Sequence, residues 1–144
     1  MSYTYTYPRP AVTVDCLIFS RSGENQQLLL IQRDKPPFEG SWALPGGFVD
    51  IDEPLETAAH RELEEETGIR EIRLEQFHTF GQPGRDPRGR TISVVYYGFM
   101  DPHSQQATAG SDARNARWFN ILHLPHLAFD HLDIIHLAIK KMEL

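Results

Sequence analysis

The pattern of apolar and polar positions divides the chain into strand-like runs, two helices and the loops between them. Apolar runs bounded by turn-forming residues predict strands at Ala11–Ser20, 27–32 and Thr91–Met100. The last of these is nearly all apolar, which is typical of a strand buried on both faces. Two further strand-like runs lie at 69–80 and 116–121. Clusters of Gly, Pro and polar residues predict turns or loops at 22–25, 34–42, 44–47, 81–90 and 101–115.

Two segments have the pattern of helices. Residues 54–67 begin with Pro54, which suits the first helical position, and Gly68 suits a left-handed C-terminal cap. The second helix is predicted to follow Asp130 as its cap and to run to about Met142. Residues that favour a helix end therefore bound the first helix on both sides and precede the second.

Composition and charge narrow the class of protein. With 144 residues, 40% of them hydrophobic and 24% charged, the chain can close one core, so we predict a single mixed α/β domain over residues 1–144. The polar, tyrosine-rich segment 1–10 is expected to be a tail or a dimer contact. The single Cys16 excludes an internal disulfide framework and a cysteine-based zinc site.

The net charge also bears on partners and compartment. A charge of −6 disfavours binding along nucleic acid, whose phosphates require a basic face. The chain has neither a membrane-length apolar stretch nor the apolar core of a signal peptide. We therefore expect a cytoplasmic protein with no nucleic-acid or membrane partner.

The first helix places acidic residues where apolar ones are expected. At about 100° per residue, Glu62 and Glu66 fall within the apolar arc of this helix, which is formed by Leu55, Ala58, Ala59 and Leu63. A solvated acidic face is the ordinary explanation for a run of glutamates, and Glu64 fits it. Glu62 and Glu66 do not, because a buried carboxylate is costly without a cationic partner. A site built from carboxylates alone suits hard ions such as Mg²⁺ or Mn²⁺.

A longer motif surrounds these glutamates. Nine positions match the signature G-x5-E-x7-R-E-U-x-E-E-x-G-U, where U is a bulky aliphatic residue: Gly47, Glu53, Arg61, Glu62, Leu63, Glu65, Glu66, Gly68 and Ile69. The chain therefore resembles the Nudix hydrolase family. The resemblance implies an α/β/α sandwich with a mixed β-sheet between helices. It also implies divalent-metal-dependent hydrolysis of a nucleoside diphosphate linked to another moiety.

The same resemblance assigns roles within the motif. Glu62, Glu65 and Glu66 would be the principal ligands of Mg²⁺, with Mn²⁺ as an alternative ion. Glu53 would be a further ligand or a support for the others. Arg61 would orient these carboxylates through charge-assisted hydrogen bonds. An ordinary surface salt bridge is the alternative explanation of Arg61.

The group that accepts the proton from the attacking water is less defined. It comes from the motif in some Nudix branches and from a later loop in others. Asp112 is the loop candidate in this chain, and an ordinary turn or capping aspartate is an equally good explanation of it.

Residues after the motif resemble the ADP-ribose pyrophosphatase branch of the family. Pro83 lies fifteen residues beyond Gly68, a distance at which that branch typically carries a proline. Arg85, Arg88 and Arg90 form a local cluster suited to a ligand phosphate or carboxylate, or else a solvated basic turn.

Three residues before the motif are further candidates for contacts to the nucleotide: Arg33, Phe38 and Asp15. Asp15 is unusual because an aspartate inside an apolar strand disfavours the strand unless its carboxyl group has a partner.

The function implied is hydrolysis of ADP-ribose to AMP and ribose 5-phosphate. A second hypothesis is a nucleoside triphosphate pyrophosphohydrolase that removes non-standard or oxidised nucleotides and releases pyrophosphate. A third is a non-catalytic ADP-ribose-sensing protein, which the intact motif and the acidic charge disfavour. A homodimer is common in the ADP-ribose branch, so we expect one here.

Overall fold

A computed structural model of the chain describes residues 2–21, 25–110 and 113–144. Within these residues the chain forms seven strands and two helices. The strands are β1 (Ala11–Ser20), β2 (Gln27–Arg33), β3 (Trp42–Ala43), β4 (Gly46–Phe48), β5 (Glu75–Phe80), β6 (Thr91–Met100) and β7 (Ala113–Asn120). The helices are α1 (Leu55–Thr67) and α2 (His131–Met142). Neither helix is long and apolar enough to span a membrane.

The strands form one mixed sheet around β1. β6 runs parallel to β1 along its whole length, from the pair Ala11↔Thr91 to the pair Ser20↔Met100. The other edge of β1 is shared between two antiparallel partners, since its first half pairs with β4 and its second half pairs with β2. β2 continues to β3 and β7, and β5 pairs with β6. β2 therefore separates from the first half of β1, and β4 occupies that part of the β1 edge.

The two faces of the sheet are covered by different helices. Successive side chains of a strand point to opposite faces, so Val14, Cys16 and Ile18 of β1 pack in the core beneath α1. Leu17 and Phe19 pack on the other face, beneath α2. The predicted α/β/α sandwich with a mixed sheet is thus confirmed. The same alternation sends the side chains of Thr13 and Asp15 towards the α2 face.

The structure differs from the predicted elements in four places. Trp42, the last residue of a predicted loop, forms β3 with Ala43, because both pair with β2. Residues 46 and 47 lie in a predicted break but form β4 with Phe48, because their backbone groups pair with β1. Of the predicted strand 69–80, the first half is irregular, since Glu71 has a φ of 58° that an extended strand does not permit. β7 begins at Ala113, earlier than predicted. Part of the predicted turn at 22–25 lies outside the described residues.

Both helix boundaries agree with the sequence prediction, but one cap does not act as predicted. Gly68 ends α1 with a φ of 76°, as expected for a left-handed cap. Asp130 precedes α2, yet its side chain makes no capping hydrogen bond. Its carboxylate instead accepts two hydrogen bonds from the guanidinium of Arg85. The prediction of Asp130 as a side-chain cap was therefore wrong, because a cationic partner from a distant loop binds the carboxylate.

Candidate active site

Packing of α1 on the sheet fixes the environment of each of its glutamates. Ala58, Ala59 and Leu63 are fully buried against the sheet. Glu66 lies on the same side and is only 8% exposed, whereas Glu64 on the opposite side is exposed. Burial of Glu66 inside the apolar arc, predicted from the helical period, is thus confirmed.

Arg61 connects the glutamates of this region. Its Nε donates to Glu53 at 2.6 Å and its Nη2 donates to the same carboxylate at 2.9 Å. Its Nη1 donates to Glu62 at 2.8 Å and to Glu65 at 3.2 Å, and Nη2 also donates to the carbonyl oxygen of Phe48 at 3.1 Å. One guanidinium therefore holds three carboxylates close together, which an isolated surface salt bridge would not do.

Two adjacent glycines of β4 allow the backbone to approach these carboxylates. The N–H of Gly46 donates to Oε1 of Glu66 at 2.7 Å. A Cβ on Gly47 would lie 2.6 Å from both carboxylate oxygens of Glu62, a contact that would displace that side chain. These positions explain why the motif begins with a glycine.

Burial and like charge shift the pKa values of the carboxyl groups. Burial raises the pKa of Glu66 to about 8, with an opposing contribution from the Gly46 hydrogen bond and a further increase from Glu62. Burial also raises the pKa of Glu62. In contrast, the hydrogen bonds from Arg61 lower the pKa of Glu53 to about 2. The charged forms of Glu62 and Glu66 thus lack sufficient stabilisation from the protein.

The donor set fits a hard divalent cation. It consists of carboxylate oxygens, which Mg²⁺ and Mn²⁺ prefer, and an added cation would offset the cost of burying Glu62 and Glu66 as anions. Within 2–21, 25–110 and 113–144, no three His, Cys, Asp or Glu side chains are already arranged around a common point. Arg61 is the cation between the carboxylates in this arrangement, so metal coordination would require their side chains to rotate.

A cavity of about 450 Å³ lies above these carboxylates, a size typical of small-molecule sites. Thr13 and Asp15 of β1 and Ile31 and Arg33 of β2 are among the residues that line it. The loop 81–90 and the start of α2 close its far side. The cavity is therefore acidic at α1 and contains arginines elsewhere.

The rings of Phe48 and Phe129 and the guanidinium groups of Arg33 and Arg88 form one wall of the cavity. Phe38, a predicted contact residue, is not among the lining residues, but its ring centroid lies 4.9 Å from that of Phe129 in an edge-to-face contact. The guanidinium carbon of Arg33 lies 5.0 Å from the Phe129 centroid, and that of Arg88 lies 4.7 Å from Phe48 and 5.2 Å from Phe129. Flat, cation-bearing surfaces of this kind suit an aromatic base next to a phosphate.

The three arginines of the loop 81–90 have different environments. Arg85 is 4% exposed and forms a two-point ion pair with Asp130, with N–O distances of 2.6 and 2.9 Å. Arg88 lines the cavity and pairs with Asp86 at 2.8 Å. Arg90 is exposed and is not among the residues that line the cavity. Asp112, the candidate proton acceptor, lies outside the described residues.

Asp15 has the partner that its position in a strand requires, because Ser93 of the neighbouring strand β6 donates a hydrogen bond to its Oδ2. Its other oxygen lies 3.7 Å from Nε2 of His131. Burial raises the pKa of Asp15 to about 7 and lowers the pKa of His131 to about 3.

Sequence reasoning missed His131, Thr13, Phe48 and Phe129 as cavity residues. His131 follows a proline-interrupted segment far from Asp15 in the chain, so no local pattern pointed to their contact. A signal was available in Asp15 itself, a charged residue in an apolar strand.

Comparisons with known proteins show the family to which the chain belongs. The NUDIX domain family matches residues 9–138. The chain is 43% identical over 129 residues to the ADP-ribose pyrophosphatase of Methanocaldococcus jannaschii, covering 90% of this chain and 73% of that protein. It is 40% identical over 141 residues to the ADPR responsive transcriptional repressor NtrR of Acinetobacter baylyi, covering 94% of this chain and 56% of that protein. It resembles the solved NUDIX domain of Shewanella oneidensis NrtR complexed with ADP ribose, with a TM-score of 0.85, 34% identity and coverage of 94% and 90%.

Proposed function

Because the chain belongs to the NUDIX family and is a Nudix hydrolase, we propose that it hydrolyses ADP-ribose to AMP and ribose 5-phosphate with the help of a divalent cation. The observation that carries the proposal is the pairing, in one cavity, of buried carboxylates with a wall of aromatic rings and arginines. The relative from M. jannaschii and the NrtR domain complexed with ADP ribose support the choice of ligand.

Glu62, Glu65 and Glu66 would hold Mg²⁺ or Mn²⁺, with Glu53 as a further ligand or as a support. When bound, the ion supplies charge neutralisation at the diphosphate and lowers the pKa of a water molecule. Arg61 keeps the carboxylates together, since its hydrogen bonds to Glu53 restrict the position of the guanidinium.

The other wall of the cavity would bind and orient the nucleotide. Arg33 and Arg88 place positive charge beside Phe129. A nucleotide whose phosphate binds these guanidinium groups could therefore stack its base on the Phe129 ring. The side chains of Phe38 and Phe129 brace each other. Held in this way, the diphosphate would lie towards the carboxylates of α1.

The reaction adds water across the P–O–P linkage. A bond forms between the water oxygen and one phosphorus, and the bond between that phosphorus and the bridging oxygen breaks. The bridging oxygen leaves with the other phosphate, and the water gives up a proton. A glutamate of the motif or Asp112 would accept this proton.

The substitution Glu66→Gln tests the site. Gln keeps an oxygen that can accept from the Gly46 N–H but cannot supply an anionic ligand, so we expect turnover of ADP-ribose to fall at least about 100-fold. Glu64→Gln is the matched control, because it makes the same change on the exposed side of the same helix. Release of AMP and ribose 5-phosphate is followed by chromatography in the presence of Mg²⁺ or Mn²⁺. Unchanged turnover in Glu66→Gln contradicts the site assignment.

A panel of substrates separates the competing functions. Hydrolysis of nucleoside triphosphates to pyrophosphate, with ADP-ribose left intact, supports the nucleotide-pool alternative. Binding of ADP-ribose without any turnover supports a sensing role, which the similarity to the A. baylyi repressor favours. The chain spans about half the length of that repressor, so the comparison concerns one part of it.

Assembly into a homodimer also remains a prediction. Tyr3, Tyr5 and Tyr7 are exposed in the segment before β1 and are candidates for contact with a second copy. Light scattering coupled to size-exclusion chromatography tests it, since a monomer at assay concentration contradicts the prediction.

A further inference from the structure

We propose that Asp15 and His131, with Thr13 beside them, form a subsite that takes a sugar hydroxyl of the bound nucleotide. The inference rests on the proposed function for the identity of the ligand. It goes beyond that function by naming the part of the cavity that recognises the sugar.

The first argument is the separation of two polar atoms that face the same cavity. Oδ1 of Asp15 lies 3.7 Å from Nε2 of His131, which is too long for a direct hydrogen bond. A single oxygen atom between them can donate to Oδ1 and accept from Nε2. A hydroxyl group has both abilities, whereas a carbonyl or phosphate oxygen only accepts.

The protonation of His131 follows from its other contact. The backbone N–H of Leu44 donates to Nδ1 of His131 at 3.0 Å, so Nδ1 carries no proton. The neutral ring therefore has its proton on Nε2, the nitrogen that faces Asp15. Burial keeps the ring neutral by lowering its pKa. His131 thus presents a hydrogen-bond donor to the gap.

Asp15 is fixed in place from the opposite side. Its Oδ2 accepts from Ser93, so the carboxyl group is oriented with Oδ1 towards His131. Gly46 permits this position, because a Cβ there would overlap with Oδ1. A hydroxyl suits either form of this carboxyl group, since it can donate to the carboxylate or accept from the acid.

Thr13 supplies an independent observation. It lines the same cavity two residues before Asp15 on the same face of β1, and it is 5% exposed. Its Oγ1 is buried and has no hydrogen-bond partner among the described residues. Buried hydroxyl groups are normally paired, whereas the Oγ1 of Thr13 lacks a partner among these residues in this arrangement. A rotation of the Thr13 side chain towards the cavity would let it pair with the second of two adjacent hydroxyls on a ribose ring.

The local charge argues for a sugar rather than a phosphate at this point. Asp15 lies close enough to Glu66 to raise the pKa of that carboxyl group. Arg85, the guanidinium on the Asp130 side of the cavity, is already bound by the Asp130 carboxylate. A phosphate bound here would be repelled by these carboxylates, and the Arg85 guanidinium that could neutralise it is already paired with Asp130. A hydroxyl group carries no charge and is not repelled.

The test measures equilibrium binding of ADP-ribose and of analogues that each lack one ribose hydroxyl, by calorimetry without added metal. We expect one analogue to bind the unaltered protein about 10- to 100-fold more weakly than ADP-ribose. In Asp15→Asn, ADP-ribose should lose a similar factor, and the same analogue should no longer differ from it. The position of that hydroxyl identifies which of the two riboses is bound.

Asp133→Asn is the matched control, because it removes one carboxylate from an exposed position on α2. It should bind every ligand as the unaltered protein does. If Asp15→Asn does not fold, as judged by circular dichroism, His131→Phe replaces it, because it removes the Nε2 donor, and the same analogue should no longer differ from ADP-ribose in that variant.

The inference is overturned if every deoxy analogue binds the unaltered protein as tightly as ADP-ribose, which would mean that a water molecule fills the gap. It is also overturned if only a change of base, to the hypoxanthine analogue, weakens binding, or if ADP-ribose does not bind. Discrimination among the analogues without turnover contradicts the hydrolase function and supports the subsite. Turnover of ADP-ribose without discrimination among the analogues supports the hydrolase function and contradicts the subsite.

Discussion

The ion pair between Arg85 and Asp130 allows a direct test of how the cavity is held together. It joins the loop 81–90 to the start of α2, and Arg85 is 4% exposed while the Asp130 side chain is 19% exposed. Sequence reasoning placed Arg85 among the ligand contacts, and the structure places it in the cavity lining with its guanidinium bound to Asp130 at two points. We predict that replacing either partner destabilises the protein.

The magnitude follows from what each substitution leaves behind. Arg85→Met keeps the bulk of the side chain but leaves the Asp130 carboxylate without its partner in a largely buried position. Removing one partner of a buried pair costs about 3–5 kcal/mol, and the partial exposure of Asp130 favours the lower value of about 3 kcal/mol. For 144 residues, this corresponds to a decrease in Tm of about 10 °C, at roughly 2.1 cal/mol/K of unfolding entropy per residue.

The assay is a double-mutant cycle measured by urea unfolding. Arg85→Met, Asp130→Asn and the double variant should show a coupling energy of about 1.5–3 kcal/mol, because the second substitution removes a group already left unpaired. The exposed pair Arg73–Glu75, with an N–O distance of 2.9 Å and side-chain exposures of 88% and 47%, is the control. Its cycle should show no measurable coupling.

A specific result would refute this reasoning. If the two single substitutions leave the free energy of unfolding unchanged while Arg85→Met weakens binding of ADP-ribose, then Arg85 acts on the ligand and not on the fold. Strict additivity of the two substitutions would likewise show that the pair contributes no interaction energy.

Three further predictions concern the cavity. Gly47→Ala should weaken binding of Mn²⁺ about 10-fold, because a Cβ displaces the Glu62 carboxylate, and unchanged binding in a calorimetric titration would contradict this. Phe129→Ala should weaken binding of ADP-ribose more than binding of inorganic phosphate, because the ring is lost but Arg33 remains; equal effects on both would refute the base-stacking role. His131 has a folded pKa of about 3, below its unfolded value, so the unfolded chain takes up a proton as the pH falls below about 6.5 and stability is lost. When the pH is lowered from 7 to 5, the free energy of unfolding of the unaltered protein should fall by about 2 kcal/mol more than that of His131→Gln. Parallel pH profiles of the two proteins in urea unfolding would contradict this. The charged groups that act on His131 are Asp15, Asp130, Arg85, Arg33 and Asp86.

Much of α1 could be predicted because a helix has a regular local period. Pro54 and Gly68 indicated its ends, and the angular spacing placed Glu66 with the apolar side chains. The sheet could not be predicted to the same detail. β4 contains Gly46 and Gly47, which are poor strand formers, and it exists because β1 offers an unpaired edge at that point.

The roles of the loop residues illustrate the same limit. Arg85, Arg88 and Arg90 are close in sequence and chemically alike, yet one is buried against Asp130, one lies beside aromatic rings and one is exposed. A pattern of residue types cannot separate them, because each environment depends on a partner from another part of the chain.

The amino-acid order alone was sufficient to identify the family, the acidic helix and the strands around it, since these depend on local periodicity and on a motif of fixed spacing. The cavity itself depends on contacts between distant segments. Asp15 meets His131 because strand alternation turns its side chain to the α2 face, and the packing of α2 on that face brings its first residue to the same place. Local sequence shows only that Asp15 requires a partner and does not identify it, because it is the packing of the sheet and the helix that brings the two side chains together.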